Sequence, residues 1–143
     1  MSKMLLNDVK VVVNNVNLSD HAFNIDTPSA KTQVDVSGFN PAGTMEFLPG
    51  LSDDTITVQF RSDFAAASVH QTLQPLYASG SPFPIYVQPT STGGTTATNP
   101  LFGGSATLYE YNGLSGALSA AADMTVTFKP ASGSRFAWGT VAP

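Results

Sequence analysis

Chemistry in this chain would have to start from His21 and His70, its two histidines, because imidazole is the side chain that titrates near neutral pH unaided. His21 follows Asp20 in "NLSDH" and could serve as a base held by a carboxylate. The same residues make a turn, and a turn histidine is the simpler reading. His70 lies seven residues beyond Asp63, about two helical turns away, so those two cannot pair and His70 reads as a surface histidine. No His-x-x-x-His spacing or cluster of acids accompanies either one, which leaves transition-metal binding without a ligand set. Asp53 and Asp54 follow a turn, and a calcium loop needs more acids at alternating positions. Gly93-Gly94 and Gly103-Gly104 lack the lysine and hydroxyl that open the helix of a phosphate loop. They read instead as loop flexibility and as a kink or bulge in a strand. No serine stands in a nucleophile elbow. The expectation is no catalytic residue, no cofactor and no metal.

Composition narrows what remains. Charged residues make up 11% of the 143, against about 25% in an average globular domain. Thr, Ser, Asn and Gly take their place, so the surface is neutral, polar and poorly defended against self-association. The net charge is −4, and Lys3, Lys10, Lys31, Arg61, Lys129 and Arg135 are scattered without a basic stripe, which argues against a grip on DNA or RNA. Cysteine is absent, so disulfides and thiolate zinc sites are excluded. The opening "MSKMLLNDVKVVV" has no apolar segment followed by a small-residue cleavage site. No run approaches the roughly 20 apolar residues that span a membrane. A soluble chain made in a cytoplasm, without membrane insertion, is expected.

The elements that must hold these residues are mostly strands. Valines lead to Asn14-Asn15, which tolerate the left-handed backbone of a tight hairpin, and residues 16–18 return. Ser19-Asp20 is a turn, and "AFNID" extends the sheet. Within residues 27–50, "TQVDVSGF" and "TMEFL" alternate on either side of the turn "NPAG", giving a long hairpin with one acid on each arm, Asp35 and Glu46. Residues 55–60 are the clearest strand, with Ile56, Val58 and Phe60 on one face. Ser62 or Asp63 caps a helix over about residues 63–74, with Ala66, Val69, Leu73 and Leu76 as its apolar stripe. Pro75 ends or kinks it near Gln74, and Gly80 finishes it. "PFPIYVQP" has proline at both ends, as at an edge or a strand terminus. "PTSTGGTTATNP" is a polar loop, and "SATLYEYNG" and "DMTVTFKP" are the last strands. The tail, residues 131–143, is expected to be ordered only against a neighbour. The fold class is mainly β, a sandwich or barrel of about six to eight strands with one flanking α-helix in a single domain. Phe60, Phe64, Val69, Leu73 and Leu76 form the core that seats the helix.

One ordered set of segments carries a resemblance: "VNLSDH", "DVSGFNPAGTMEFLPGLSDDTITVQF", "DFAAASVHQTLQPLY", "VQPTSTGGTTATNP" and "ATLYEYNGLSG". In this order and spacing, over about residues 12–128, the chain resembles the major tail tube protein of long-tailed bacteriophages. None of these segments is catalytic, and the tail after Pro130 is not covered. The resemblance implies a β-sandwich or barrel with one flanking helix, a fold shared with contractile tails and the type VI secretion tube. It also implies hexameric rings stacked around a DNA channel, with a shared inner barrel and loops crossing between rings. The implied partners are further copies of the chain and the tape measure, terminator and distal tail proteins. The implied place is the virion tail, assembled in a bacterial cytoplasm, and the implied role is structural, not enzymatic.

Two physical arguments run the same way. A conduit must not hold DNA, because each phosphate neutralised adds affinity that moving DNA would have to break. Open strand edges on a subunit this short of charge are a liability unless copies complete them, and ring closure does so. On this reading residues 27–50 reach the adjacent ring or subunit through Lys31, Asp35, Phe39, Asn40 and Glu46. Asp35 and Glu46 are also placed as lumen acids, with solvated outer acids as the other reading. Two rivals stand beside this. One is a free β-sandwich module binding carbohydrate or protein through Tyr77, Tyr86, Tyr109, Tyr111 and Trp138, with Tyr109 and Tyr111 on one strand face. The other is a tail terminator or completion protein that forms one ring and does not polymerise.

Overall fold

The computed structural model describes residues 8–39, 41–66, 68–91 and 94–139. Lys3, Asn40, Gly93 and residues 140–143 of the expected tail lie outside them.

The chain opens with a tight hairpin. β1 (Lys10–Val13) and β2 (Val16–Asn17) pair through Val13 and Val16. Asn14 and Asn15 sit at φ 49° and 65°, the positive values that a two-residue hairpin turn of the favoured hand requires. β3 (Ala22–Asp26) then runs along β6 (Ile56–Arg61). Between them in sequence, β4 (Ser29–Asp35) and β5 (Phe47–Asp54) pair, among the described residues, only with each other, as a separate two-stranded ribbon.

After β6 comes α1 (Val69–Ser79), then β7 (Phe83–Gln88), β8 (Leu101–Ser115), β9 (Asp123–Pro130) and β10 (Ala137–Gly139). The main sheet is antiparallel, in the order β2-β1-β7-β8-β9-β6-β3, with β10 added on β8. β8 is long enough to serve two partners: its first residues pair with β7 and β10, and its later ones with β9. A mainly β fold with one helix is what the sequence predicted.

Alternation explains the core. Ile56, Val58 and Phe60 of β6 and Met124, Val126 and Phe128 of β9 are fully buried, while the residues between them are not. They join Val11, Val13, Ile85, Phe102, Leu108 and the helix residues Val69 and Leu73 in one apolar cluster. α1 lies against β8 and supplies those two residues.

Five local expectations need correction. The helix starts at Val69, not near Asp63. The Asp63 carboxylate accepts from the Ala65 N–H at 3.0 Å and the Ser68 hydroxyl at 2.7 Å, which fixes a turn where the first helical turn was expected. Ser68 takes the N-cap position but makes no side-chain cap, and its hydroxyl donates to Asp63 instead. Pro75 does not end the helix, which runs on to Ser79 and stops at Gly80 with φ 67°. Pro75 and Gln71 are both exposed, so the carbonyl that loses its donor is on the solvent side.

The prolines of β7 sit at its two ends, but the strand lies between β1 and β8 and is not an edge. Gly103-Gly104 marks no bulge; a Cβ on Gly103 would fall 2.0 Å from the Ile85 carbonyl oxygen and one on Gly104 2.9 Å from that of Arg135. The glycines are there for close approach of backbone. Last, the tail is ordered by its own chain as far as Gly139: Phe136 is buried, and β10 pairs with β8.

Candidate assembly surfaces

The polar side chains with chemical potential tie elements together. His21, in the turn before β3, places Nε2 2.9 Å from Asp63 Oδ2, the oxygen that also accepts from Ser68. The constellation holds serine, histidine and aspartate with the carboxylate in the middle. A nucleophile triad needs the imidazole between the other two. Here both neighbours turn toward Asp63, and the group is a clasp between the β3 turn and the approach to α1. Asp63 is held below the usual carboxylate range by the Ala65 N–H first, then the Ser68 hydroxyl, then His21.

His70 Nδ1 lies 2.6 Å from the Tyr111 hydroxyl, joining α1 to β8; burial pushes the Tyr111 phenol up. The spacing argument holds for the His70 ring and the Asp63 carboxylate, although the His70 backbone N–H donates to the Asp63 carbonyl at 3.1 Å. It was silent about the side-chain partners His21 and Tyr111. Those partners are distant in sequence.

The loop after β7 is organised by Asn99, which is buried. Its side-chain amide donates to the Thr90 and Gly94 carbonyls at 3.1 and 2.8 Å, and its side-chain carbonyl accepts from the Thr90 N–H at 3.2 Å. Nothing in "TATNP" distinguishes this asparagine from a turn residue.

The surfaces left over are open strand edges and unburied apolar groups. β3 ends the main sheet on one side and the two-residue β2 on the other, and they do not pair. A cleft of about 620 Å³ lies along this seam, lined by Asp8, Val9, Asn17, Asp20, Phe23 and Ile25 among others. Among the described residues the backbone of β3 along that edge has no strand beside it, the condition under which another strand adds readily.

The ribbon is the second surface. Residues 29–53 of its two strands and tip, where described, are all exposed; Asp54 at its foot is buried. Its foot is pinned by Lys129, whose Nζ donates to Asp53 Oδ1 at 2.9 Å and Thr55 Oγ1 at 2.7 Å. Beyond the foot it carries exposed Val34, Val36, Phe39, Met45, Phe47, Leu48 and Leu51. That much unburied apolar surface on one element marks an interaction surface. Asp53 and Asp54, expected after a turn, lie within β5, since the strand continues past Pro49-Gly50, with a register shift against β4 at that point.

A second cleft, about 500 Å³, opens between the ribbon foot and the C-terminal segment, with Lys31, Ser52, Asp54, Phe102, Arg135 and Trp138 on its walls. Arg135 and Trp138 belong to the tail that the sequence left unplaced. Phe136 and Trp138, two residues apart, both pack on Phe102, at 5.9 and 4.8 Å between ring centroids. Their spacing was the one available signal.

Of the residues expected to seat the helix, Phe60, Val69 and Leu73 are fully buried and Leu76 is partly buried against the same cluster. Phe64 is not among them. It is 51% exposed and stacks on His70 at 4.6 Å, because the helix begins beyond it. Ala66 is exposed for the same reason. Lys31, Asp35 and the other described ribbon residues Phe39 and Glu46 lie on one element; Asn40 is outside the described residues.

The aromatic platform of the rival module does not form. A bulge at Tyr109 resets the alternation of β8, so that Leu108 opposes Phe128 and Tyr111 opposes Val126, while Tyr109 is left exposed. Tyr111 packs inward with Tyr77 at 6.1 Å, and Trp138 sits apart on β10.

This architecture, an antiparallel main sheet with one helix against β8 and a separate ribbon, is shared with chains of solved phage-like tails. Solved structures that share it include a chain of the virion of a native gene transfer agent particle, 14% identical, covering 91% of this chain and 95% of that one, with a TM-score of 0.70. The tail of the empty gene transfer agent particle, which also matches, has C6 symmetry. The tail tube of SPP1 is 12% identical and covers 95% of this chain and 78% of that one, with a TM-score of 0.70. A chain of the sheath/tube terminator of PVC, an extracellular contractile injection system, is 13% identical over 96% and 97% of the two chains, with a TM-score of 0.71. No protein-family model and no curated protein sequence matches the chain. At these identities the likeness is one of fold.

Proposed function

We propose that this chain is a tail tube subunit: a structural, non-enzymatic virion protein whose copies form hexameric rings that stack into a DNA-conducting tube. The observation that carries the reading is the match of nearly the whole chain to chains of phage-like tails. The seam and the ribbon support it. An unpaired β3 edge gives each copy a place to add a neighbour's strand, and closure of a ring leaves no edge open. The ribbon, with its exposed apolar groups, is the segment that reaches another copy. The single domain, the tail location and the contacts with tape measure, terminator and distal tail proteins belong to the same proposal. So do assembly in a bacterial cytoplasm and the passage of DNA without specific binding.

Asp35 and Glu46 have two competing roles on this reading, facing the bore or pairing with a neighbouring copy. The terminator reading stands second, favoured by the match to the PVC terminator chain. Negative-stain microscopy of the purified protein with light scattering separates the readings. Tubes are expected; single hexameric rings select the terminator, and a monomer that binds glycans and never assembles overturns both.

A further inference from the structure

The ribbon tip and the cleft at the ribbon foot are complementary in charge and in apolar surface. At the tip, Phe39 is fully exposed and Met45 is 66% exposed. They stand beyond Asp35 and Glu46, two acids with no ion-pair partner among the described residues. Asp35 accepts from the N–H of its near neighbour Ser37 at 2.8 Å. In the cleft, Lys31 and Arg135 also have no ion-pair partner among the described residues, whereas Arg61 and Lys129 are bonded to Asp123 and Asp53. Trp138, 57% exposed and backed by Phe102, lines the same cleft, and the one acid there, Asp54, is buried.

The chain cannot fill this cleft with its own tip. The ladder from Lys31↔Ser52 to Asp35↔Phe47 holds the tip at least about 13 Å from the foot at the usual rise of a strand, and bending back would break that ladder.

We propose that the ribbon of one copy seats its tip in the cleft of a second, with Phe39 against Trp138 and with Asp35 and Glu46 meeting Lys31 and Arg135. Donor and acceptor are different places on the molecule, so the contact is head-to-tail and propagates through an assembly. The aromatic contact supplies attraction, and the charges set register and exclude a reversed fit. This inference rests on the tail tube reading and takes the inter-copy role of the two acids over the bore-facing one.

Charge reversal tests it. The D35K/E46K chain and the K31E/R135E chain should each need a protein concentration about tenfold higher or more to assemble. The chain with all four changes should return toward the wild type. Because cysteine is absent, the F39C/W138C chain should give a ladder of disulfide-linked multiples on a non-reducing gel of oxidised tubes. F39C/S52C does the same at an exposed position if loss of Trp138 disturbs folding. Wild-type tubes with indifferent charge variants and no ladder overturn the docking alone and return Asp35 and Glu46 to the bore. A wild type that never assembles overturns the tail tube reading itself.

Discussion

Leu73 and Phe64 lie nine positions apart, both apolar and both read from the sequence as core, yet they meet opposite surroundings. Leu73 is fully buried and Phe64 half exposed. Truncation of Leu73 to alanine should cost about 2–5 kcal/mol, and truncation of Phe64 under about 1 kcal/mol, read from urea midpoints at unchanged slope. Equal losses would mean that the helix begins where the sequence placed it. The reason the sequence misplaced Phe64 is Asp63: as an N-cap it would have drawn the helix over Phe64, but its carboxylate is committed to Ala65, Ser68 and His21. That commitment has a pH signature. Asp63 is depressed below its ordinary 3.8, so its contribution to stability is full above about pH 4 and is lost as pH falls through the lower folded value. D63N should therefore be less stable at pH 7 and should flatten the acid limb of a stability profile followed by circular dichroism. An unchanged acid limb would remove the clasp from the account.

At the scale of elements, strict alternation was readable and interruption was not. β6 and β9 stand within a residue of their expected positions because every second residue is apolar and buried. The hairpin of residues 27–50 was also readable, from two alternating arms around "NPAG". Its isolation from the main sheet was not, since nothing local says whether an arm's faces will be covered. The bulge at Tyr109 escaped for a related reason: the extra residue is visible only against β9. The ribbon now makes a sharp prediction. Replacing residues 36–46 with a two-residue Asn-Gly turn leaves the buried cluster untouched and keeps a favoured hairpin loop. The shortened chain should unfold at the same urea concentration as the parent, while sedimentation shows no tubes. Tubes of normal length would sink the reaching role of the ribbon.

For the whole molecule, the legible part was the balance of charge and the order of segments, which together pointed to a self-assembling β subunit. The candidate assembly surfaces were not legible, because a seam between β2 and β3 and a cleft between residues 31 and 135 are made by folding. One feature of the chain path carries a mechanical consequence. β5 passes into β6 across the single residue Thr55, so the ribbon and an inner strand of the sheet are nearly one cable. Tension applied at the ribbon's far end runs lengthwise along β6, which is flanked by β9 and β3. It loads those ladders in shear, with many bonds strained together, and does not unzip them one at a time. A hollow filament strung from such cables would resist stretching during the passage of its contents far better than one whose links peeled from a sheet margin.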